Sequence, residues 1–276
     1  MVAAVKRAPA PMARVGAKAA LTYGLREFRS WLVNYRRTWR GTVYSSLLGP
    51  VLYLGAMGLG LGTLVNRHGT GSLGGVSYLQ FLAPGLLAAQ AMQSATEESS
   101  WPVFGSVKWR RTYQAAAATP LRPADIFHGH LLFTTMRLVM NCTVFVAVMA
   151  AFGAVRSAWV LAAIPVAILT GLAFATPMEA FAVTREKPNS FAMIFRFGII
   201  PLFLFSGTFF PISQLPGALQ PVAYVTPLWN GVALSRSLCL GTATLGPALA
   251  HVAYLVAFAI AGLIAGQRCY RRRLYV

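Results

Sequence analysis

The stretch GTFFPISQLPGALQPVAYVTPLWNG, residues 207–231, is almost entirely apolar and has a proline every five or six residues. Each proline removes a backbone donor and clashes with the preceding turn, so no uninterrupted helix can cover the stretch. Its side chains are too apolar for an ordinary water-exposed loop. We expect short pieces, such as 214–220 and 228–238, that are too short to cross a bilayer and lie at membrane depth against protein.

The composition of the whole chain is that of a membrane protein. Of the 276 residues, 57% are hydrophobic and 11% are charged, whereas a soluble domain has about 25% charged residues. The cysteines Cys142, Cys239 and Cys269 have neither paired nor metal-ligand spacing, which argues against a disulfide framework. The first residues lack the long apolar core of a signal peptide.

Six stretches are apolar and close to the roughly 20 residues that a helix needs to cross the hydrocarbon core. They predict an all-α membrane protein with spans at about 43–65, 78–96, 130–152, 158–182, 191–210 and 245–267. The predicted organisation is a cytoplasmic N-terminal segment at 1–42, a six-span domain at 43–268 and a basic cytoplasmic tail at 269–276.

The basic residues predict the orientation of these spans. If the N-terminus is cytoplasmic, 19 of the 24 Lys and Arg residues fall on the cytoplasmic side and three fall outside. Basic residues concentrate in cytoplasmic connections, so both termini are predicted inside and 207–231 outside. A net charge of +18 in a soluble protein would suggest nucleic acid. Here the charge is spread over every cytoplasmic connection, which excludes a nucleic-acid partner.

Residues 20–40 have the pattern of an amphipathic helix. An apolar stripe recurs every three or four residues, and arginines lie between its members. We expect this helix at the cytoplasmic membrane surface, with its arginines at anionic lipid headgroups. The alternative is a solvated basic arm. The stripe consists of Leu21, Leu25, Phe28, Leu32, Tyr35 and Trp39.

The chain has no sequence motif of an enzyme. It lacks a phosphate-binding loop, an H-E-x-x-H pattern and paired carboxylates, so no catalytic residue, metal site or bound cofactor is predicted. His128 and His130 are two residues apart and would point to different faces of a helix. They are therefore interpreted as interfacial residues.

Three charged residues fall inside predicted spans, namely Arg137, Glu179 and Arg196. Charges in lipid are costly and normally have a partner or a water-filled path. Glu179 and Arg196 lie at similar depth on spans joined by a short hairpin, which favours an ion pair between them. The alternatives are arginines that extend to the interface and direct contact with a substrate. In the last span, Gly262-x-x-x-Gly266 permits close helix approach.

Three stretches resemble the membrane subunits of type-2 ABC exporters, and among them the lipo-oligosaccharide permeases that export nodulation factors. They are GVSYLQFLAPGLLAAQAMQSATEES (75–99), WRRTYQAAAATPLRPADIFHGHLL (109–132) and LFLFSGTFFPISQLPGALQPVAYVTPLWNGVALSR (202–236). The last is the most specific, and with the span pattern the likeness covers nearly all the chain after residue 20. One departure is Glu97-Glu98 followed by SSWP, so the substrate of the nodulation group is not carried over.

The resemblance implies a permease that moves an amphipathic or lipid-linked substrate, such as a drug, glycolipid or lipo-oligosaccharide. Its implied partners are a second copy or a paralogue, membrane lipids, and two cytoplasmic ATPase subunits that bind ATP and Mg on a separate chain. The implied location is the bacterial inner membrane. The alternative functions are a secondary transporter or channel without an ATPase, and a membrane scaffold. A neighbouring gene for a P-loop protein would favour the exporter.

Two functional segments are predicted, one chiefly from the resemblance and the other from the prolines and external position of 207–231. The first is a coupling segment that docks the ATPase, for which the alternative is an interfacial linker. Its candidate residues are Trp109, Arg110, Arg111, Tyr113, Pro120, Leu121, Arg122, Pro123, Asp125, Ile126 and Phe127. The second is an outer gate made by 207–231 as re-entrant short helices, for which the alternative is an apolar surface loop. Its candidate residues are Phe209, Phe210, Pro211, Leu215, Pro216, Tyr224, Pro227 and Trp229.

Overall fold

The computed structural model describes residues 17–67 and 75–275, and within these ranges it contains helices and connections but no strand. The side chains of residues 17–22, Ser45 and Leu59 are outside this description. Predictions about 1–16, the side chain of Leu21, the loop residues 68–74 and Val276 therefore lie outside the described residues.

The described helices follow one another with short connections. They are α1 (Ala17–Tyr53), α2 (Gly62–Arg67), α3 (Tyr78–Lys108), α4 (Thr112–Ala117), α5 (Pro123–Ala151), α6 (Val160–Thr184), α7 (Asn189–Ile194), α8 (Ile200–Phe205), α9 (Gln220–Tyr224), α10 (Pro227–Leu240) and α11 (Leu245–Leu274). A π-helical stretch, Leu54–Leu61, joins α1 to α2, and another, Phe195–Ile199, joins α7 to α8.

Four helices of the described ranges are long and apolar enough to cross a membrane. They are Tyr23–Arg67, Pro123–Ala151, Val160–Thr184 and Leu245–Leu274, and they coincide with the first, third, fourth and sixth predicted spans. The fifth predicted span coincides with the shorter apolar helix Asn189–Phe205. The second coincides with α3, in which glutamines and serines interrupt the apolar residues. The all-helical membrane architecture is thus confirmed, while the count of six spans stays a prediction.

Helix α3 is surrounded by other helices, although it is not one of the four helices that are long and apolar enough to cross a membrane. It packs against α5, α6 and α10. Its fully buried Leu82 and Met92 belong to the main hydrophobic cluster, together with Leu138 of α5. Protein neighbours, rather than lipid, therefore surround much of α3, and this explains why it can carry more polar residues than the other long helices.

The amphipathic helix is continuous with the first span, because the helix runs unbroken through the predicted boundary at residue 42. Its arginines are exposed, as predicted. Within the apolar stripe, which is predicted to face lipid, Leu25 is exposed and Leu32 is partly buried. Glu27 and Trp31 are buried against α5, Phe28 and Tyr35 are partly buried, and Trp39 is exposed.

The glycines of the last span mark close helix contacts within the chain. A β-carbon at Gly262 would meet the side chain of Thr176 on α6, and one at Gly266 would meet the ring of Phe127 on α5. Glycine at these two positions therefore lets α11 pack tightly on both α5 and α6.

Candidate functional site

The predicted coupling segment is the connection between α3 and α5. Arg111 has a left-handed backbone (φ 52°), which costs a non-glycine residue about 1 kcal/mol, and α4 begins at the next residue. Pro123 occupies a first-turn position of α5, where its missing donor is tolerated. Asp125 accepts hydrogen bonds from the backbone nitrogen and Nε of Arg122, each at 3.0 Å. This caps α5 and fixes the end of the connection.

The candidate coupling residues divide into an exposed and a buried group. Trp109 has 65% of its surface exposed, and Arg110, Arg111 and Pro120 are also exposed. Leu121 and Arg122 are partly buried. The buried group is Tyr113, Pro123, Asp125, Ile126 and Phe127. Only the exposed group is positioned to touch another protein, and the buried group anchors the segment to the spans.

Tyr113 connects α4 to the long helices. Its ring lies 5.9 Å from that of Tyr270 on α11, whose hydroxyl donates to Oε1 of Glu179 on α6 at 3.3 Å. Burial, with the nearby Glu179 and Glu27 carboxylates, raises the pKa of Tyr113 well above its usual range, so its hydroxyl stays neutral. Tyr113 therefore packs α4 directly against α11, and Tyr270 links α11 to Glu179 of α6.

The intramembrane acid has a different partner from the predicted one. Glu179 is fully buried, and its Oε1 lies 2.6 Å from Nδ1 of His130, which is fully buried as well. Arg196 is exposed and makes no ion pair among the described residues. The predicted Glu179–Arg196 pair is therefore wrong, because Glu179 faces α5 and not the neighbouring hairpin helix. His128 is exposed, and its interfacial location stays a prediction, whereas the interfacial interpretation is wrong for the fully buried His130.

Arg137 is held by partners that the sequence did not indicate. Its Nε donates to Oε1 of Glu98 on α3 at 3.0 Å, and its Nη1 donates to the hydroxyl of Tyr35 on α1 at 3.1 Å. These three residues bridge three helices. In the sequence, Glu98 stands out only as a departure from the family pattern. Its pairing with Arg137 is not visible there, because the two residues are 39 positions apart.

A polar cavity of about 180 Å³ lies beside this pair, between α1, α3 and α5. Ser46 donates to the side-chain oxygen of Asn141 at 2.7 Å across the cavity. It is lined by Ser46, Pro50, Gln90, Ser94, Glu97, Glu98, Arg137 and Asn141. Polar side chains that face a shared cavity avoid the cost of facing lipid.

The ends of three elements meet at Glu186, in the connection after α6. Its carboxylate forms ion pairs with Lys108 at the end of α3 and with Arg273 near the end of α11. The hydrogen bond from Lys108, followed by that from Arg273, lowers the pKa of Glu186 from its ordinary value.

The proline-rich segment forms short helical pieces, as predicted, but with different bounds. Gly207 reverses the chain after α8 with a left-handed backbone (φ 77°), a conformation that glycine adopts without strain. A single 3-10 turn, Ile212–Gln214, and α9 then precede α10. The helix predicted at 214–220 is wrong, because the helical pieces begin at or next to Pro211, Pro221 and Pro227 and leave 215–219 as a connection. The piece predicted at 228–238 lies within α10.

The candidate gate residues have different surroundings. Leu215 and Pro227 are buried, and Leu215 packs with Ile212 and Ala223 in a small cluster of its own. Four others, Phe209, Phe210, Pro211 and Trp229, are partly buried, while Pro216 and Tyr224 are exposed. The rings of Tyr224 and Trp229 meet edge to face, with centroids 4.7 Å apart.

An apolar cavity of about 570 Å³ separates this segment from the first long helix. Phe209, Phe210 and Pro211 line one side, and Tyr53, Met57 and Leu61 line the other. Met57 and Leu61 lie in the π-helical stretch, which the pattern of apolar residues does not predict. Such stretches are frequent at functional sites of helices.

Arg236 anchors the proline-rich segment to the centre of the molecule. Its Nε donates to the carbonyl oxygen of Phe81 on α3 at 3.0 Å, and its Nη2 donates to that of Gly207 at 2.8 Å. Its guanidinium also lies 3.7 Å from the centroid of the Phe81 ring. Arg236 is one of the three basic residues predicted outside the membrane, and the structure places it in α10 with its guanidinium bound by the backbone carbonyls of Phe81 and Gly207.

Comparison with known proteins assigns the family. A model described as ABC-2 type transporter matches residues 26–240. The chain belongs to the ABC-2 type transporter family.

Relatives support this assignment over most of the chain. The chain is 33% identical to nodulation protein J of Rhizobium meliloti (strain 1021) over 254 residues, 89% of this chain and 94% of the relative. It is 34% identical to nodulation protein J of Rhizobium leguminosarum bv. viciae, with 89% and 95% covered. The inner membrane transport permease YadH of Escherichia coli (strain K12) is 22% identical, with 71% and 74% covered. The resemblance inferred from sequence is confirmed.

The ABC-2 match includes the site residues described above, except Tyr270 and Arg273 of α11, which lie beyond residue 240. It contains the coupling segment, the Arg137–Glu98 pair, the polar cavity and the proline-rich segment, and it ends at the last residue of α10. Membership of this family, together with the apolar helices, makes the chain a multi-pass membrane protein.

Proposed function

We propose that this ABC-2 protein is the permease subunit of an ATP-driven exporter in the bacterial inner membrane. It moves an amphipathic or lipid-linked substrate, and a separate cytoplasmic subunit binds and hydrolyses ATP with Mg. A second copy or a paralogue completes the transport path. The relatives named nodulation protein J and inner membrane transport permease support this function.

One observation carries the proposal beyond family membership, namely the two-sided coupling segment. Trp109, Arg110 and Arg111 are exposed at the tip, while Tyr113 is buried against Tyr270. A partner that pushes on the exposed side would move α4, and Tyr270 would carry this movement to Glu179 in α6. A channel or scaffold acting alone has no need of such a lever.

The apolar cavity beside the proline-rich segment favours a substrate with an apolar part. The cavity between the π-helical stretch and the proline-rich segment is walled by aromatic and aliphatic side chains. Burying apolar substrate surface there is favourable by about 25 cal/mol per Å². On the predicted orientation this cavity is at the outer side, where the proline-rich segment would act as the gate of the exit.

Co-purification with an ATPase tests the function. The full chain is co-expressed with a P-loop protein encoded beside it, and ATPase activity is measured in lipid with and without amphipathic compounds. We expect a stable complex that Trp109→Ala weakens at least tenfold. Trp159, on the connection before α6, has 66% of its surface exposed and provides the matched control in Trp159→Ala.

Two outcomes would contradict this function. The first is the absence of any complex between the folded chain and its neighbouring ATPase. The second is a complex that Trp109→Ala and Trp159→Ala weaken equally, because the coupling segment would then have no special role in docking.

A further inference from the structure

A groove of about 410 Å³ lies between the start of α5 and the end of α11. Two arginines, Arg268 and Arg271, are one helical turn apart on its α11 side. Nε2 of Gln267 lies 3.1 Å from Nε2 of the exposed His128 on α5. The lining residues are Pro123, Ala124, Ile264, Gln267, Arg268 and Arg271.

Among residues 17–67 and 75–275, no carboxylate pairs with the arginines of this groove. The chain has only six acidic residues, all within the described ranges, and neither groove arginine forms an ion pair there. Five of the six have identified polar partners, namely Glu27 with Trp31, Glu98 with Arg137, Asp125 with Arg122, Glu179 with His130, and Glu186 with Lys108 and Arg273. The sixth, Glu97, lines the polar cavity between α1, α3 and α5. Arg268 and Arg271 thus have no acidic partner within the described residues and are free to bind an external anion.

The groove continues into an apolar strip along α11. Ile260 and Ile264 are 49% and 46% exposed, and they lie one turn apart on the face that leads to Arg268. The order along the helix is thus apolar surface, then polar Gln267, then two cations. This order matches an acyl chain followed by a phosphate, whereas a free phosphate would make no use of the isoleucines.

We propose that this groove binds one anionic phospholipid, with its phosphate between Arg268 and Arg271 and an acyl chain along Ile264 and Ile260. Basic pockets between membrane helices on the cytoplasmic side have the chemistry for such headgroups. On the predicted orientation the lipid belongs to the cytoplasmic leaflet. The groove uses none of the exposed coupling residues Trp109, Arg110, Arg111 and Pro120, so it can be tested on the chain without an ATPase.

Native mass spectrometry of the purified full chain in detergent tests the site. The chain is titrated with phosphatidylglycerol, with phosphatidylcholine of the same acyl chains, and with glycerol 1-phosphate. We expect phosphatidylglycerol to bind at least tenfold more tightly than either of the others. Arg268→Gln with Arg271→Gln should abolish this preference, and Arg268→Lys with Arg271→Lys should largely keep it.

Arg272→Gln is the matched control, because Arg272 is an exposed arginine on the same helix end but does not line the groove. Its preference for phosphatidylglycerol should equal that of the wild type. If Arg272→Gln loses the preference for phosphatidylglycerol as fully as the double variant at Arg268 and Arg271 does, the preference results from general surface charge and the proposed site is wrong. If glycerol 1-phosphate binds as tightly as phosphatidylglycerol, the site does not recognise an acyl chain and the lipid proposal is wrong. If phosphatidylcholine binds as tightly as phosphatidylglycerol, the two arginines do not select a negative headgroup and the proposal is also wrong. Circular dichroism confirms that each variant is folded.

Discussion

Nδ1 of His130 on α5 and Oε1 of Glu179 on α6 lie 2.6 Å apart, and both side chains are fully buried. Tyr270 on α11 donates to the same carboxylate oxygen. Three long helices thus share one buried acceptor, directly behind the coupling segment. Because all three side chains are fully buried, such a shared acceptor favours one rotation of the helices relative to one another.

Replacing Glu179 with leucine should strongly destabilise the protein. Glu179→Leu keeps the approximate size of the side chain but leaves His130 and Tyr270 without their acceptor. Removing one partner of a buried pair costs about 3–5 kcal/mol, so we expect a clearly lower melting temperature in detergent.

Arg196→Leu is the control for this experiment. Arg196 is exposed, and a substitution at such a site changes stability by no more than about 0.5 kcal/mol. Equal losses in the Glu179 and Arg196 variants would instead support the ion pair expected from sequence and contradict the pairing with His130.

Adding one methyl group at Gly266 should loosen the packing of α11. The new β-carbon of Gly266→Ala would collide with the ring of Phe127, which is fully buried and cannot move aside easily. Overpacking of this kind costs about 1–3 kcal/mol, to be measured as a shift in thermal unfolding. Gly246→Ala on the same helix is the control, since nothing lies within 4 Å of its β-carbon. The prediction fails if both variants unfold at the same temperature.

The ion pairs of Glu186 should make stability depend on pH. Because the folded state lowers the pKa of this carboxyl below its ordinary value of 4.5, the stabilisation is present above that value and is lost as pH falls through the lowered pKa. Glu186→Gln should therefore melt below the wild type at pH 7, and the two should converge at acid pH.

The neighbouring Lys187 provides the control for this pH series. It is exposed and forms no ion pair among the described residues, so Lys187→Gln should not change the melting temperature or its pH dependence. Added salt should reduce the Glu186 effect, because exposed ion pairs are screened. A Glu186→Gln deficit that is the same at pH 7 and at acid pH would contradict the electrostatic explanation.

The sequence was sufficient for the features that depend on local pattern. Apolar run length located the spans that coincide with the long helix Tyr23–Arg67 and with α5, α6 and α11, and the prolines showed that 207–231 is broken into pieces. Partner choice was not predictable in this way. Glu179 could have faced either neighbouring span, and the helix rotation that decides this results from packing of the whole core. For the same reason, the partners of Arg137 and Arg236 were missed.

Cysteine labelling should reveal a sharp pattern in the proline-rich segment. Ala223 is buried with Ile212 and Leu215, whereas its neighbour Val222 is 64% exposed. In a background with Cys269→Ser, where the remaining Cys142 and Cys239 are buried, Val222→Cys should react rapidly with a membrane-impermeant maleimide added outside. Ala223→Cys should react at least tenfold more slowly, because the packed cluster excludes the reagent.

Labelling of Val222→Cys only from the cytoplasmic side would reverse the predicted orientation. Equal, rapid labelling at both positions would mean that the segment is an unpacked surface loop and would remove the basis for an outer gate.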